Sequence, residues 1–438
     1  MKEVTILPGS LAGTVAAPPS KSIAHRALIC AALAAGESRL AKVDGSDDIL
    51  ATAAGLRVLG AVIQPGPEAW TVRGPASPAN PARSLADANG PAEVDCGESA
   101  STLRFLLPLF PACGRPAVFS GRGRLGQRPL APYRDLMRAQ GVSWRQEAAG
   151  GLRLHVAGRL QAGGFALPGD VSSQFISGLC FALPLLAGPS AIRLTTELES
   201  APYLELTIAV LRDFGVSVQT AGPGEYAIPG GQSYKARDMR IEGDYSQAAL
   251  FLVAGALGGR VAVAGLEPAS RQGDRAILAL LTRLGYKAAW RGGATTCVHG
   301  PVPAGPVEID AAPCPDIIPA LALAAALRPG LTTNITRAGR LRLKESDRLR
   351  ATVTELRALG ADIEERGDGV LIRGSARLPG GRPLDSHGDH RLAMMLTIAG
   401  AAAERPVTLT DPDCVCKSYP GFFADFAALG GRVNLNGG

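Results

Sequence analysis

IIPALALAAAL, residues 317–327, is apolar at every position and follows directly on Asp316. Coiled as a helix it offers no polar stripe, so it must be buried on all sides inside its own domain. FISGLCFALPLLAG, residues 175–188, reads the same way and follows Ser172, Ser173 and Gln174. Working outward, stretches of about fifteen Ala/Leu-rich residues open six times on a cluster of Ser, Thr, Asp or His. The openings lie near Ser22, Ser101, Ser172, Ser246, Asp316 and Asp389, at steps of 79, 71, 74, 70 and 73 residues. A second marker keeps the same phase: a helix-like segment ending in Gly60, Gly141, Gly215, Gly285, Gly360 and Gly430. A fixed period of this kind indicates repeated supersecondary units that share a core. Its length exceeds that of the common solenoids and suits a compact α/β unit.

Each unit reads as a short strand, the apolar helix, a β segment, an amphipathic helix capped by glycine, and one or two alternating strands. The 438 residues exceed what one core usually holds, so the expected fold is α/β with two similar three-repeat domains. Residues 20–241 form the first domain, and 1–19 plus 242–438 the second, because the opening strand precedes its first apolar helix by several residues and pairs into the second domain. Parallel buried helices that all begin with polar residues present unpaired N–H groups and positive dipole ends on one surface. Two such surfaces facing each other would form an anion-binding cleft, with phosphates the obvious guests.

A hydrophobic content of 46% against 19% charged residues argues against disorder. The apolar stretches are too short and too interrupted for spanning helices. MKEVTILPGS alternates like a strand rather than a signal peptide, so a cytoplasmic protein without a membrane partner is expected. The eight cysteines are scattered and read as buried free thiols, not as a zinc site or a disulfide framework. A net charge of +6 without a basic run, and only 5% aromatic residues, point to a small anionic substrate rather than nucleic acid. Lysine is the scarce cation, and Lys21, Lys344 and Lys417 all fall in the motifs below.

The first opening, PPSKSIAHR (18–26), brings Lys21, His25 and Arg26 to a helix that Ser20 or Ser22 can cap. The second, DCGESASTLRF (95–105), places small residues around Ala100 and is followed by GRGRLGQRP (121–129) with Arg122, Arg124 and Arg128. GDVSSQF (169–175) and ESAPY (199–203) add hydroxyl and amide groups. At the fifth opening Asp316 heads a buried helix, where desolvation is expected to raise its pKa toward that of a working base; an ordinary helix cap is the alternative. RLRLKESDRLRA (340–351) packs Lys344, Glu345, Asp347 and Arg348 together, either as a site or as a solvated ion-pair face with Lys344 and Arg348 at i, i+4. GDHRLAMM (388–395) and VCKSYP (415–420) contribute Asp389, His390, Arg391 and Lys417. No phosphate loop, HExxH, paired CxxC or nucleophile elbow is present.

In order and spacing these motifs resemble the enolpyruvyl transferases of the 5-enolpyruvylshikimate-3-phosphate (EPSP) synthase family, over nearly the whole chain. The resemblance implies two domains of three βαβαββ repeats around buried parallel helices, an inside-out α/β barrel closing on substrate at the domain interface. It implies transfer of the enolpyruvyl group of phosphoenolpyruvate to the 5-hydroxyl of shikimate 3-phosphate, through a tetrahedral ketal, with no cofactor and no metal. By position, Lys21, Ser22, Arg26, Ser172, Ser173, Gln174, Ser200, Asp316 and Lys344 would hold shikimate 3-phosphate. Lys21, Ala100, Arg128, Gln174, Arg348, Arg391 and Lys417 would line the phosphoenolpyruvate site. Asp316 would be the base on the hydroxyl and Glu345 the acid at C3, with Lys21 assisting the departing phosphate. A monomeric, bacterial-type enzyme is expected.

The second opening departs from the family's usual GNAGT: Glu98 replaces Asn and Ala100 replaces the second Gly. The extra methyl is expected to intrude on the phosphoenolpyruvate pocket and weaken glyphosate binding. Arg340 also stands where Asn is frequent, which bears on one shikimate contact. Two rivals remain: UDP-N-acetylglucosamine enolpyruvyl transferase, whose loop carries a reactive cysteine absent from 121–129, and a non-catalytic anion- or RNA-binding protein on the same scaffold.

Overall fold

The computed structural model describes residues 2–75, 90–147 and 151–436. The chain divides into two compact units, Pro19–Ile241 and Met1–Pro18 with Glu242–Gly438. Each unit repeats one motif three times. In the Pro19–Ile241 unit the motif is plainest in the strands Ala92–Asp95, Ala117–Gly121, Leu152–Ala157 and Ser143–Gln146, which hydrogen-bond in that order. The first pair is parallel and the other two pairs are antiparallel. A parallel pair needs a crossover, and the apolar helix supplies it. Gly164–Leu167 opens a second sheet of the same order.

Both units close with borrowed strands. Met239–Arg240 pairs in parallel with Glu37–Ala41, so the leading strand of the first repeat comes from the far end of its unit. Ala12–Ala16 pairs in parallel with Arg260–Ala264 and does the same for the fourth repeat. Glu3–Leu7 lies between Val407–Thr410 and Arg432–Asn436, antiparallel to both, and completes the sixth. The amino-terminal strands therefore belong with the second set of repeats.

The central helices are Lys21–Leu33, Ala100–Leu106, Ser173–Ala182, Tyr245–Ala256, Ile318–Ala326 and His390–Ala402. Every residue of Ile318–Ala326 is buried, as an all-round apolar sequence requires. The second helix is shorter than the apolar run because Pro108 breaks it, leaving a separate turn at Leu109–Ala112. Within the Pro19–Ile241 unit three central helices meet at Phe105. Its ring lies edge-on to Phe181 at 5.5 Å and to His25 at 6.2 Å, with the Arg26 guanidinium 5.1 Å above it.

All six glycines that end the amphipathic helices lie in the left-handed region, with φ between 71° and 101°. The inside-out barrel needs one correction. The six four-stranded sheets stay separate, and no barrel closes among the described residues, because each repeat ends its hydrogen bonding within its own sheet. All eight cysteines are free, and six are buried. Among the described residues no cluster suits a metal ion and no helix is long and apolar enough to cross a membrane.

Candidate active site

In the Glu242–Gly438 unit the charged residues converge on Arg348. This arginine is the first residue of the helix Arg348–Ala358, which Asp347 caps by accepting from the Arg350 N–H at 3.0 Å. Its side chain is 1% exposed, so a solvated ion-pair face is ruled out. Lys344 lies before the helix, at the end of the turn Gly339–Leu343, yet Lys344 and Arg348 meet through a shared partner. Asp316 Oδ1 accepts from Lys344 Nζ at 3.0 Å and from Arg348 Nη1 at 2.8 Å. Arg348 Nη2 donates to Glu345 Oε2 at 2.6 Å and to Asp389 Oδ1 at 3.1 Å, and Nε donates to Asp389 Oδ2 at 2.8 Å.

Asp389 is fully buried at the head of His390–Ala402. Besides Arg348 it accepts from Ser346 Oγ at 3.0 Å and from the Arg391 N–H at 2.9 Å. One carboxylate thus caps a central helix and fixes the arginine that gathers Asp316 and Glu345.

Asp316 overturns the expected direction of its pKa. Burial does push the carboxyl upward, but Lys344, Arg348 and Arg391 together outweigh it and hold the group well below the usual carboxylate range. The turn Pro315–Ile317 delivers the Asp316 carboxylate to the two cations. Burial lowers the Lys344 ammonium, and Arg340 is close enough to lower it further. The Arg348 guanidinium is strongly favoured as a cation, since Asp389, Glu345 and Asp316 overcome the cost of its burial.

Arg391 is 6% exposed, and its Nε and Nη1 have no hydrogen-bond partner in the protein. Buried N–H groups are normally paired, and leaving a charged one unpaired is expensive. Lys417, 6% exposed, ends the turn Pro412–Lys417.

In the Pro19–Ile241 unit, Ser20 caps Lys21–Leu33 by accepting from the Ile23 N–H at 3.4 Å. A lysine at the positive end of a helix is disfavoured unless neutralised, and Lys21 Nζ pairs with Asp48 Oδ2 at 2.6 Å. Ser22 gives its carbonyl to Arg26 Nη1 at 2.8 Å. Arg26 also donates to Thr207 Oγ1 at 2.8 Å and to the Tyr203 carbonyl at 2.9 Å, leaving two of its five N–H groups uncommitted. Burial brings its pKa down to about 10 and that of neighbouring His25 to about 3.

Ala100 is 5% exposed in the first turn of its helix, which Ser99 caps. Gln174 joins the second and third openings: its Nε2 donates to Ser101 Oγ at 2.9 Å, and its Oε1 accepts from Arg104 Nη1 at 2.9 Å. Ser172 caps Ser173–Ala182 by accepting from the Gln174 N–H at 3.3 Å, and Ser173 is buried beside it. Ser200 is buried at φ 56° and makes no capping bond to the helix it precedes. Arg128 is half-buried where the turn Gly123–Gln127 ends. Asp48, Arg104 and Thr207, which organise this set, are absent from the sequence reading. Each sits inside a helix, with a partner 27, 70 or 181 residues away.

The model of EPSP synthase (3-phosphoshikimate 1-carboxyvinyltransferase) matches residues 7–426. The chain belongs to the EPSP synthase family. Among curated members, a 3-phosphoshikimate 1-carboxyvinyltransferase from Clostridioides difficile is 44% identical over 99% of both chains. One from Clostridium perfringens is 45% identical over 98% of this chain and 99% of its own. Among solved structures, the EPSP synthase of Acinetobacter baumannii superposes with a TM-score of 0.78 at 25% identity, covering all of both chains. The enolpyruvyl transferase NikO of Streptomyces tendae shares the fold, with a TM-score of 0.74 at 22% identity over 99% of this chain and 98% of its own. The fold is that of EPSP synthases, as the motif resemblance implies.

Proposed function

We propose that this chain transfers the enolpyruvyl group of phosphoenolpyruvate to the 5-hydroxyl of shikimate 3-phosphate, releasing phosphate. Its membership of the EPSP synthase family supports the reaction. The observation that carries the site is the cluster in which Arg348 holds Asp316 and Glu345 while buried Arg391 keeps Nε and Nη1 unpaired. An anion placed on those donors satisfies them.

The addition joins the 5-oxygen to C2 of phosphoenolpyruvate, moving the hydroxyl proton to Asp316 and a proton from Glu345 to C3. The ketal then returns a C3 proton to the Glu345 carboxylate as the C2–O bond breaks and phosphate leaves with the bonding pair, its charge offset by the Lys21 ammonium, while Asp316 gives up its proton to solvent. Asp316 is a weak base while three cations act on it alone. Anionic substrates on Lys344 and Arg391 offset that field and raise its proton affinity, so the base is armed by binding. Lys21, Ser22, Arg26, Ser172, Ser173, Gln174, Ser200, Asp316 and Lys344 serve shikimate 3-phosphate. Arg128, Arg348, Arg391 and Lys417, with Lys21, Ala100 and Gln174, serve phosphoenolpyruvate. The enzyme works as a cytoplasmic monomer.

Phosphate release measured with phosphoenolpyruvate and either shikimate 3-phosphate or UDP-N-acetylglucosamine tests the reading. Turnover is expected only with shikimate 3-phosphate, and its absence there overturns the assignment. Arg391→Ala is expected to raise the KM for phosphoenolpyruvate by roughly 10–100-fold, the worth of a buried charge-assisted contact.

A further inference from the structure

The turn that delivers Asp389 and Arg391 is held by a residue outside the catalytic reading. His387 lies at φ 54°, a left-handed conformation that a residue with a Cβ adopts only where its surroundings hold it. Its Nε2 meets Glu355 Oε1 at 2.8 Å, and its backbone N–H donates to Asp385 Oδ1 at 2.7 Å. The other Glu355 oxygen accepts from the Asp385 N–H at 3.0 Å. Glu355, 6% exposed, stands two turns along the helix that begins at Arg348. Asp385 Oδ1 accepts from Thr410 Oγ1 at 3.1 Å, and the Asp389 N–H donates to the Ser386 carbonyl at 2.9 Å. The two elements joined by Asp389 and Arg348 are therefore joined a second time, by His387 and Glu355.

We propose that His387 is a positioning residue: its imidazolium, clamped on Glu355, fixes the 385–389 turn against the helix Arg348–Ala358 and so sets Arg391 for its anion. The inference rests on the reading of Arg391 as a phosphoenolpyruvate contact. The charged groups facing the ring are Glu355 on that helix and Asp385 and Asp389 on its own turn, with Asp411 beside Gly388. The hydrogen bond to Glu355 raises the imidazole pKa above its ordinary value, against some loss from burial, and Asp385 adds to the rise. A raised folded-state pKa means that the clamp contributes fully below the unfolded value of about 6.5 and is lost as pH rises through the folded value.

The test compares wild type with His387→Asn, which tolerates the left-handed backbone but carries no charge, and with Glu355→Gln. KM for phosphoenolpyruvate, kcat and the thermal midpoint are read from about pH 5.5 to 9. At the acid end the KM of His387→Asn is expected to exceed wild type by roughly two- to fivefold, the worth of one partly exposed ion pair. That ratio should fall toward one at the alkaline end, with kcat changed less than about twofold, and the gap in thermal midpoint should follow the same course. Glu355→Gln should show the same acid-side loss. A KM ratio that is flat with pH overturns the proposal, as does a thermal gap with KM unchanged, which would leave a purely structural latch. No turnover at any pH would refute the functional reading instead; a flat thermal gap would then still overturn the clamp.

Discussion

Arg348 commits four of its five N–H groups to Asp316, Glu345 and Asp389, which leaves one for a ligand. Arg391 keeps the three on Nε and Nη1. The two arginines look alike as charges in a motif, but they differ in the structure: Arg348 orders the carboxylates, whereas Arg391 keeps the unpaired donors on which the proposed anion site rests. Ala100 is a second position at which a single group bears on the proposed site. Its buried methyl sits at a helix head whose next residue, Ser101, accepts from Gln174. Ala100→Gly is expected to lower the glyphosate concentration for half-inhibition by roughly five- to 150-fold, since overpacking by one methyl costs about 1–3 kcal/mol. An inhibition series on the two proteins checks this, and equal sensitivity counts against the steric argument. The sequence placed Asp316, Asp389 and Arg391 at helix openings and grouped Lys344, Glu345 and Arg348 in one charged motif. It did not reveal the sign of the Asp316 shift, because that depends on how many cations the fold gathers around one carboxylate.

Among the elements, the central helices were legible because their sequences have no polar side to misassign. Their polar ties were not. His25 Nδ1 meets Thr52 Oγ1 at 2.8 Å, and Thr52 meets Thr102 at 2.6 Å, so hydroxyls scattered through apolar runs form a ladder between helices. Nothing in a linear pattern separates such a threonine from a solvent-facing one. The apolar counterpart is Phe105, which touches His25, Arg26 and Phe181 from neighbouring helices. Phe105→Ala should cost about 3–5 kcal/mol by cavity formation and lost cation–π contact. Denaturant unfolding monitored by circular dichroism reads the loss; a change below about 1 kcal/mol would mean that the helices repack freely around the gap.

For the whole molecule, the consequence of the repeat is its closure. Six units read in sequence would leave the first and fourth without a leading strand and the sixth without a central one. The chain repairs all three with Met239–Arg240, Ala12–Ala16 and Glu3–Leu7. The last of these lies between two partners in its sheet, so removing it strips hydrogen bonds from both neighbours and exposes two strand edges. A protein lacking residues 1–18 should therefore lose cooperative folding in the 242–438 segment, while 19–241, which contains all the strands of its own three four-stranded sheets, keeps its structure. Limited proteolysis with mass spectrometry distinguishes the outcomes: a protected fragment near 19–241 and rapid cleavage beyond it are expected. Joining residues 1–18 after position 438 through a flexible linker should restore protection, because the strands need to reach their partners, not to precede them. Equal protection of both segments without residues 1–18 would show that Glu3–Leu7 and Ala12–Ala16 are dispensable to those sheets.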